Sequence, residues 1–396
     1  MKLLFVKHAL GWPRASGHDV HGYYMMRSLS HAGHAVSLAT VVRPAPQAIE
    51  GIAIASLHEL GTIEHSGEPR PTMSPLQERF RNYYGVESSD IDRVRVLTEH
   101  LRPDAVIAVG LEVLPYLTAV RDARRVWYAA DEWLWHHLSQ MKLREPRSWH
   151  HVPDGIIKGL YERAYRRVVD VTWVVSDADR RAMRLIAGIG DVAVIPNGVD
   201  TEFYQPQQAS EIRNSAVFWG RLDFGPNVDA LTWFCREIWP EVRRHEPDAR
   251  LTIIGYEPSE IVRQLAGHDG VELKSNVENL PLEACRHGVA ILPFISGGGI
   301  KNKLLEAAAL ARAIICSPVA ARGLQHGPRS PFMIARSQAE WIETLRGLWA
   351  DDRLRRELGI SAREWVTAYH NWPAAAGKAV ASLSSRARGP RAAASF

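Results

Sequence analysis

Short apolar runs alternate with stretches of helical period along nearly the whole chain. The first run, "KLLFV" at 2–6, has the length and composition of a buried strand, and the loop "KHALGWPRASG" carries it on to Gly17. "HGYYMMRSLSHAGHAVSLATVV" then gives an amphipathic helix, a stop at Gly33 and a second strand, which together make one strand–helix–strand unit. Further strands are predicted at "GIAIASL" (51–57), "DAVIAVG" (104–110), "RVWYAA" (125–130), "VTWVVS" (171–176) and "VAVIP" (192–196). The polar stretch from about 64 to 90 breaks the rhythm and reads as a lid-like or helical insertion.

The alternation restarts at Ser215 with "SAVFWG", followed by a helix through "DALTWFCREIWPEVRRH". Strands then follow at "ARLTIIG", "GVELKS", "GVAILPF" and, after another helix, "RAIICS". Two successive sets of this kind predict two doubly wound α/β domains. The boundary is expected within "PNGVDTEFYQPQ" (196–207), where Pro, Asn and Gly punctuate the pattern. The predicted division is 1–197, 198–372, and a last piece at 373–396 that ends the C-terminal helix and continues as a tail. "DDRLRRELGISAREWVTAYHNW" closes the fold as a charged helix, and "SSRARGPRAAASF" has the composition of a disordered end.

Composition sharpens this picture mainly by exclusion. A chain of 396 residues exceeds one comfortable hydrophobic core, in keeping with two domains. Lys and Arg number 48 against 44 Asp and Glu, a net charge of +4 spread along the chain, which argues against a nucleic-acid binder. Cys235, Cys285 and Cys316 lie far apart, with no spacing for a metal or redox pair, and fit buried thiols in a reducing compartment. "MKLLFVKHALGWP" is too short an apolar stretch for a secretory signal, and no stretch approaches a membrane span, so the expected location is cytoplasmic. "KLREPRSWHHVPDGIIKGLYERAYRRVVD" is basic and interleaved with apolar residues, which leaves open a peripheral membrane contact beside the commoner role of a helix packed on its own sheet.

The candidate chemistry centres on "FISGGGIKNKLLEAAALARAIICSPVAARGL" (294–324). A strand, three glycines and a helix start in succession gather bare backbone N–H groups at the positive end of a helix dipole. Such a pocket suits a phosphate, and Lys301 and Lys303 beside it suit a diphosphate better. A tight turn with solvated lysines would leave the same trace in the sequence.

Four stretches in order carry a family resemblance. They are "VVSDADRRAM" with "VAVIPNGVDTEFYQP", then "FWGRLDFGPNVDALTWFCREIWPEVRRHEPDARLTIIG", then the glycine run, then "KNKLLEA". Taken together, the chain resembles the retaining glycosyltransferases of family 4, and "KNKLLEA" resembles their exopolysaccharide and surface-polysaccharide subgroup. The resemblance implies the GT-B fold: an α/β protein of two Rossmann-like, doubly wound domains facing a cleft. It also implies an acceptor-side first domain, a nucleotide-sugar-binding second domain, and transfer of a sugar to a glycan, lipid-linked or small-molecule acceptor with retention. The leaving diphosphate helps deprotonate the acceptor in that chemistry, so the protein supplies mainly position and charge. Metal independence is expected in that chemistry, with no cofactor beyond the nucleotide sugar itself.

Ligands of open α/β sheets bind beyond the carboxyl ends of the strands. Those ends are predicted at Gly220–Arg221, Gly255–Tyr256, Asn276–Val277 and 297–299, with Gly17 and Asp131 contributed by the first domain. Glu306 is the expected acceptor for the ribose diol and matches the second of the family's two motif glutamates. Gly298, Gly299, Ile300 and Asn302 complete the expected donor contacts, with the base read near Tyr256, Asn276 and Val277.

Three positions depart from the family pattern. Gly298 stands where the first motif glutamate is usual, so only backbone amides remain there. Pro226 stands where a lysine usually follows the arginine of "GRL"; Lys303, one turn before Glu306, is expected to replace it, with Lys301 directed to solvent. In place of a strand-end histidine the chain reads "WYAADEWLWHH", so Asp131 is either a donor-sugar ligand, a role Glu132 could also fill, or an N-cap of the next helix. His8 is a second candidate in the first domain, while His136 and His137 are expected to pack or face solvent. A nucleotide-sugar epimerase of the same fold and a non-catalytic binding subunit are the rival readings. Neither donor base, sugar nor acceptor follows from the residues.

Overall fold

The computed structural model describes residues 1–12, 17–64, 72–130, 149, 151–296, 300–324 and 330–384. The chain forms two compact units, Met1–Pro196 with Trp372–Phe396, and Asn197–Asn371.

The first unit is built on strands β1 (Lys2–Lys7), β2 (Ala35–Thr40), β3 (Ile54–Glu59), β4 (Ala105–Val109), β5 (Arg124–Ala130), β6 (Val171–Val174) and β7 (Val192–Val194). They form a parallel sheet in the order β3-β2-β1-β4-β5-β6-β7. Both faces are covered, as an unbroken apolar run demands. On β1, Leu4 and Val6 enter one hydrophobic cluster while Leu3 and Phe5 enter the other. Each such side chain contributes about 2 kcal/mol by leaving water.

The described part of the 64–90 insertion is helical at Pro75–Tyr83, opened by a capping box between Ser74 and Gln77. The helix Trp372–Ser384 covers most of the described part of the last predicted piece, 373–396, and packs within the first unit. Trp372 stacks on Tyr24 at 5.3 Å, and Trp173 Nε1 donates to Ser382 Oγ at 2.9 Å. The expected tail falls mostly on 385–396, outside the described residues.

The second unit contains β8 (Ile212–Arg221), β9 (Arg250–Tyr256), β10 (Val271–Ser275), β11 (His287–Leu292), β12 (Ala313–Cys316) and β13 (Met333–Ile334). Its parallel order is β10-β9-β8-β11-β12-β13, and the two-residue β13 was not anticipated from the pattern. The helix predicted over 229–245 starts at Gly225 and is interrupted by a π turn at Phe234–Ile238 before resuming at Trp239–His245. Pro240 accounts for the break, because it has no N–H for the carbonyl four residues back and its ring crowds that turn. In each sheet the direction of winding reverses between two adjacent strands, β1 and β4 in the first, β8 and β11 in the second. The carboxyl ends beside those strands are where an open α/β sheet receives its ligand.

Candidate functional site

In the second unit the reversal point brings together the end of β8 and the helix Asn302–Ala309. Gly220 and Arg221 close β8 in register with Gly255 and Tyr256 of β9. Both glycines are required by geometry. Gly220 has φ +146°, and a Cβ on Gly255 would lie 1.9 Å from the Gly220 carbonyl oxygen.

Lys303 reaches across to this turn. A Cβ on Gly220 would lie 2.1 Å from Lys303 Cε, 2.6 Å from its Nζ and 3.3 Å from Asn227 Nδ2, so lysine and asparagine converge on one bare patch of backbone. Asn227 Nδ2 donates to Arg221 O at 2.6 Å, while its Oδ1 is buried with no partner. Burial lowers the Lys303 ammonium below the ordinary lysine range, and the nearby Glu306 carboxylate opposes that shift.

Glu306 is no surface carboxylate. Its Oε2 accepts from Trp219 Nε1 at 2.7 Å, and the Tyr204 side chain donates to it as well. Burial raises its pKa; Lys303 and the two hydrogen bonds pull the other way. Arg221 lies nearer solvent, with its Nε donating to Asp223 Oδ1 at 2.7 Å and its guanidinium 5.7 Å from the Phe224 ring centroid. The arrangement is one half-buried cation, one more accessible cation and one half-buried carboxylate around a glycine strand end. It can hold a polyanion against backbone while offering a carboxylate acceptor a helical turn away.

The remaining expected residues are placed as follows. Tyr256 follows Gly255 at the end of β9, where burial raises its phenol pKa. Asn276 adopts a left-handed φ of 55° and donates its backbone N–H to Gly255 O at 3.0 Å; Val277 follows it. Ile300 is buried just before the 302–309 helix. Asn302 Oδ1 accepts from Asn197 Nδ2 at 2.7 Å, which ties the helix start to the "PNGVD" stretch. Lys301 is half-buried, with its Nζ 5.5 Å from the Phe294 ring centroid, a cation–π contact. Asp131, Glu132, His136, His137, Gly298 and Gly299 lie outside the described residues.

In the first unit Gly17 begins the helix Gly17–His31, with space for a side chain at its Cβ. His8 is exposed, and its carbonyl accepts from Val41 and Val42 N–H. The strand-end chemistry there rests on residues that motif reasoning missed. Lys7, the last residue of β1, pairs with Asp19 at 2.8 Å with both side chains largely buried, and Asp19 also accepts from Gly11 N–H. His18 Nε2 lies 3.2 Å from Ala129 O, bringing the helix start to the end of β5. A lysine terminating an otherwise apolar strand was the available signal. Among the described residues no group of three or more His, Cys, Asp or Glu side chains could hold a metal ion, and no helix is long and apolar enough to cross a membrane.

Comparison with known proteins gives a family match inside the second unit. Residues 213–351 match the family model described as "Glycosyl transferases group 1". An uncharacterised 44.6 kDa protein in the cps region of Klebsiella pneumoniae is 24% identical over 132 residues, 31% of this chain and 34% of that protein, so the chain spans about a third of the curated relative's length. Among solved structures, a sucrose-phosphate synthase from Thermosynechococcus elongatus superposes with a TM-score of 0.67 at 14% identity, covering 96% of this chain and 98% of that one. HepE from Anabaena, in complex with UDP and glucose, gives 0.63 at 12% identity, covering 98% and 100%. The two-unit α/β architecture is the GT-B fold.

Proposed function

We propose that the protein is a glycosyltransferase that moves a sugar from a nucleoside diphosphate donor to a glycan or lipid-linked acceptor with retention of configuration. The observation that carries this reading is the packing of Lys303 against Gly220, beside Arg221 and one turn from Glu306. Arg221 presents a planar fork to diphosphate oxygens, and Lys303 supplies the charge that Pro226 leaves missing at the usual lysine position. Removing either leaves a charged phosphate unmatched, at about 2–4 kcal/mol in transition-state stabilisation. Glu306 accepts from the ribose diol, while Asp131, assigned on sequence alone, contacts the donor sugar. No metal or other cofactor takes part in this scheme.

Support comes from the family match over 213–351 and from HepE, whose structure holds UDP and glucose. The Klebsiella relative's place in a cps region is in keeping with a role in surface-polysaccharide assembly. The test is to screen UDP-, GDP-, ADP- and dTDP-sugars with lipid-linked and free glycan acceptors, following nucleoside diphosphate release with and without a chelator. Release that depends on acceptor, survives the chelator and yields a product with the donor's anomeric configuration is expected. Donor turnover without acceptor would favour the epimerase, and nucleotide binding without turnover the non-catalytic subunit.

A further inference from the structure

The second unit carries another basic concavity at the opposite edge of its sheet. A cavity of about 570 Å³ opens at the amino ends of β8 and β9 and beside the start of β10, lined by Arg213, Arg243, Arg250, Asp248, Pro247 and Gly270 among others. Arg250 and Tyr256 are the two ends of β9, so this cavity lies roughly 20 Å from the Lys303 site at the rise of an extended strand. Its volume is that of a small-ligand pocket.

Three features point to an anion. Arg213 and Arg250 are exposed, and neither makes a side-chain hydrogen bond or ion pair among the described residues. Arg243 is anchored through Nη1 to the carbonyls of Pro247 and Ala249 and through Nη2 to Asp269 at 2.5 Å, yet its Nε is buried with no partner. A buried guanidinium N–H left unmatched is costly, and it belongs to a side chain that lines the cavity. Gly270 leaves room beside it: a Cβ there would stand 3.0 Å from Arg243 Nε and 2.7 Å from Ala249 O.

The third feature is strain that aims an arginine. The pairing of β8 with β11 slips between Ile212 and Ala216, and Asn214 inside the slip takes φ 49°. Non-glycine residues occupy that region at a cost in backbone strain, and bulges characteristically redirect a side chain. The residue beside Asn214 on this bulge is Arg213.

We propose that this cavity binds a phosphate-bearing anion through Arg213, Arg243 and Arg250, as a site separate from the one around Lys303. Three guanidiniums stand against two carboxylates, Asp248 in the lining and Asp269 on Arg243, so the positive charge left over for an oxyanion comes from Arg213 and Arg250, which have no partner of their own among the described residues.

The test is calorimetric titration of the full chain with inorganic pyrophosphate. In the Lys303→Ala variant, which weakens the strand-end site, one pyrophosphate site should remain. In Arg213→Ser/Arg250→Ser that site should weaken by at least about tenfold. Asp248→Asn removes the opposing carboxylate and should tighten binding by about threefold, a gain that misfolding cannot produce. Co-sedimentation with phosphatidylcholine vesicles containing phosphatidylglycerol identifies the source. Arginine-dependent vesicle binding assigns the anion to a lipid headgroup, and pyrophosphate binding without vesicle binding assigns it to a soluble phosphate. Undiminished pyrophosphate affinity in the double variant, no remaining site in Lys303→Ala, or no tightening in Asp248→Asn would each overturn the proposal.

Discussion

Replacing Gly220 with alanine tests the candidate site through a residue that contributes no side chain to it. The new Cβ would stand 2.1 Å from Lys303 Cε and 2.6 Å from Nζ, so the lysine's end must retreat by more than an ångström to regain ordinary contact. That end is flexible, so the collision itself leaves the fold standing. The φ of +146° adds backbone strain of roughly 1–3 kcal/mol, which should appear as a lower melting temperature. The functional cost is larger than the structural one if Lys303 holds the diphosphate. Displacing a cation from a partly buried anion site costs about 2 kcal/mol, which is about 30-fold in Kd. The assay is calorimetry with whichever of UDP, GDP, ADP and dTDP binds the parent most tightly, run as a cycle with Lys303→Ala. If alanine acts by moving the lysine, adding it to Lys303→Ala should cost less than about 0.5 kcal/mol further. A Gly220→Ala protein that is less stable but binds nucleotide as the parent does would refute the assignment of Lys303. Full additivity in the cycle would refute the assignment of Gly220 as its neighbour.

Glu306→Gln should weaken nucleoside diphosphate binding by about tenfold, since a neutral amide accepts less strongly from a ribose diol; calorimetric affinity equal to the parent would remove Glu306 from the site. Because burial raises the Glu306 pKa, its contribution to stability is present below the unfolded carboxyl value and lost as pH rises through the folded one, so the same variant should flatten the fall in melting temperature over that window. His21 has the opposite sense: burial first, then His18, lowers its pKa to about 3, so stability is present at neutral pH and lost as pH falls below about 6.5, by about 1.4 kcal/mol per unit. Urea unfolding of His21→Phe should lose that acid slope, and a slope equal to the parent's would mean that His21 is not held neutral in the fold.

The two sheets were legible because their strands are buried on both faces and therefore read as unbroken apolar runs, "KLLFV" and "GVAILPF" being the clearest. A strand of two residues such as β13 has no period to detect. The return of Trp372–Ser384 to the first unit was equally hidden, because an amphipathic helix declares that it has an apolar face but not which sheet will cover it. At the site, helical spacing correctly grouped Lys303 with Glu306, which the structure joins electrostatically. It could not supply their partners. Trp219, Gly220 and Tyr204 are 84, 83 and 99 positions or more away from one or other of them in no fixed period, and only the sheet brings them near. Nor could spacing show that the Phe294 ring, seven positions before Lys301, makes a cation–π contact with it.

The stretch "PNGVDTEFY" illustrates how a boundary segment can be part of a site. Pro, Asn and Gly mark it as a place where one domain ends, yet its side chains are built into the site helix of the second unit. Asn197 Nδ2 donates to Asn302 Oδ1 at the start of the 302–309 helix, and the Asn197 carbonyl lies 3.0 Å from His370 Nδ1. Arg363 donates to the carbonyls of Thr201, Tyr204 and Ala309, joining the second half of the segment to the far end of the same helix. Tyr204 then donates its side-chain hydrogen bond to Glu306. A helix fixed at its first residue, its middle and its last carbonyls has little freedom to slide. Lys303 therefore meets Gly220 at a set depth, and the residues that set it are those a sequence reader takes for a linker.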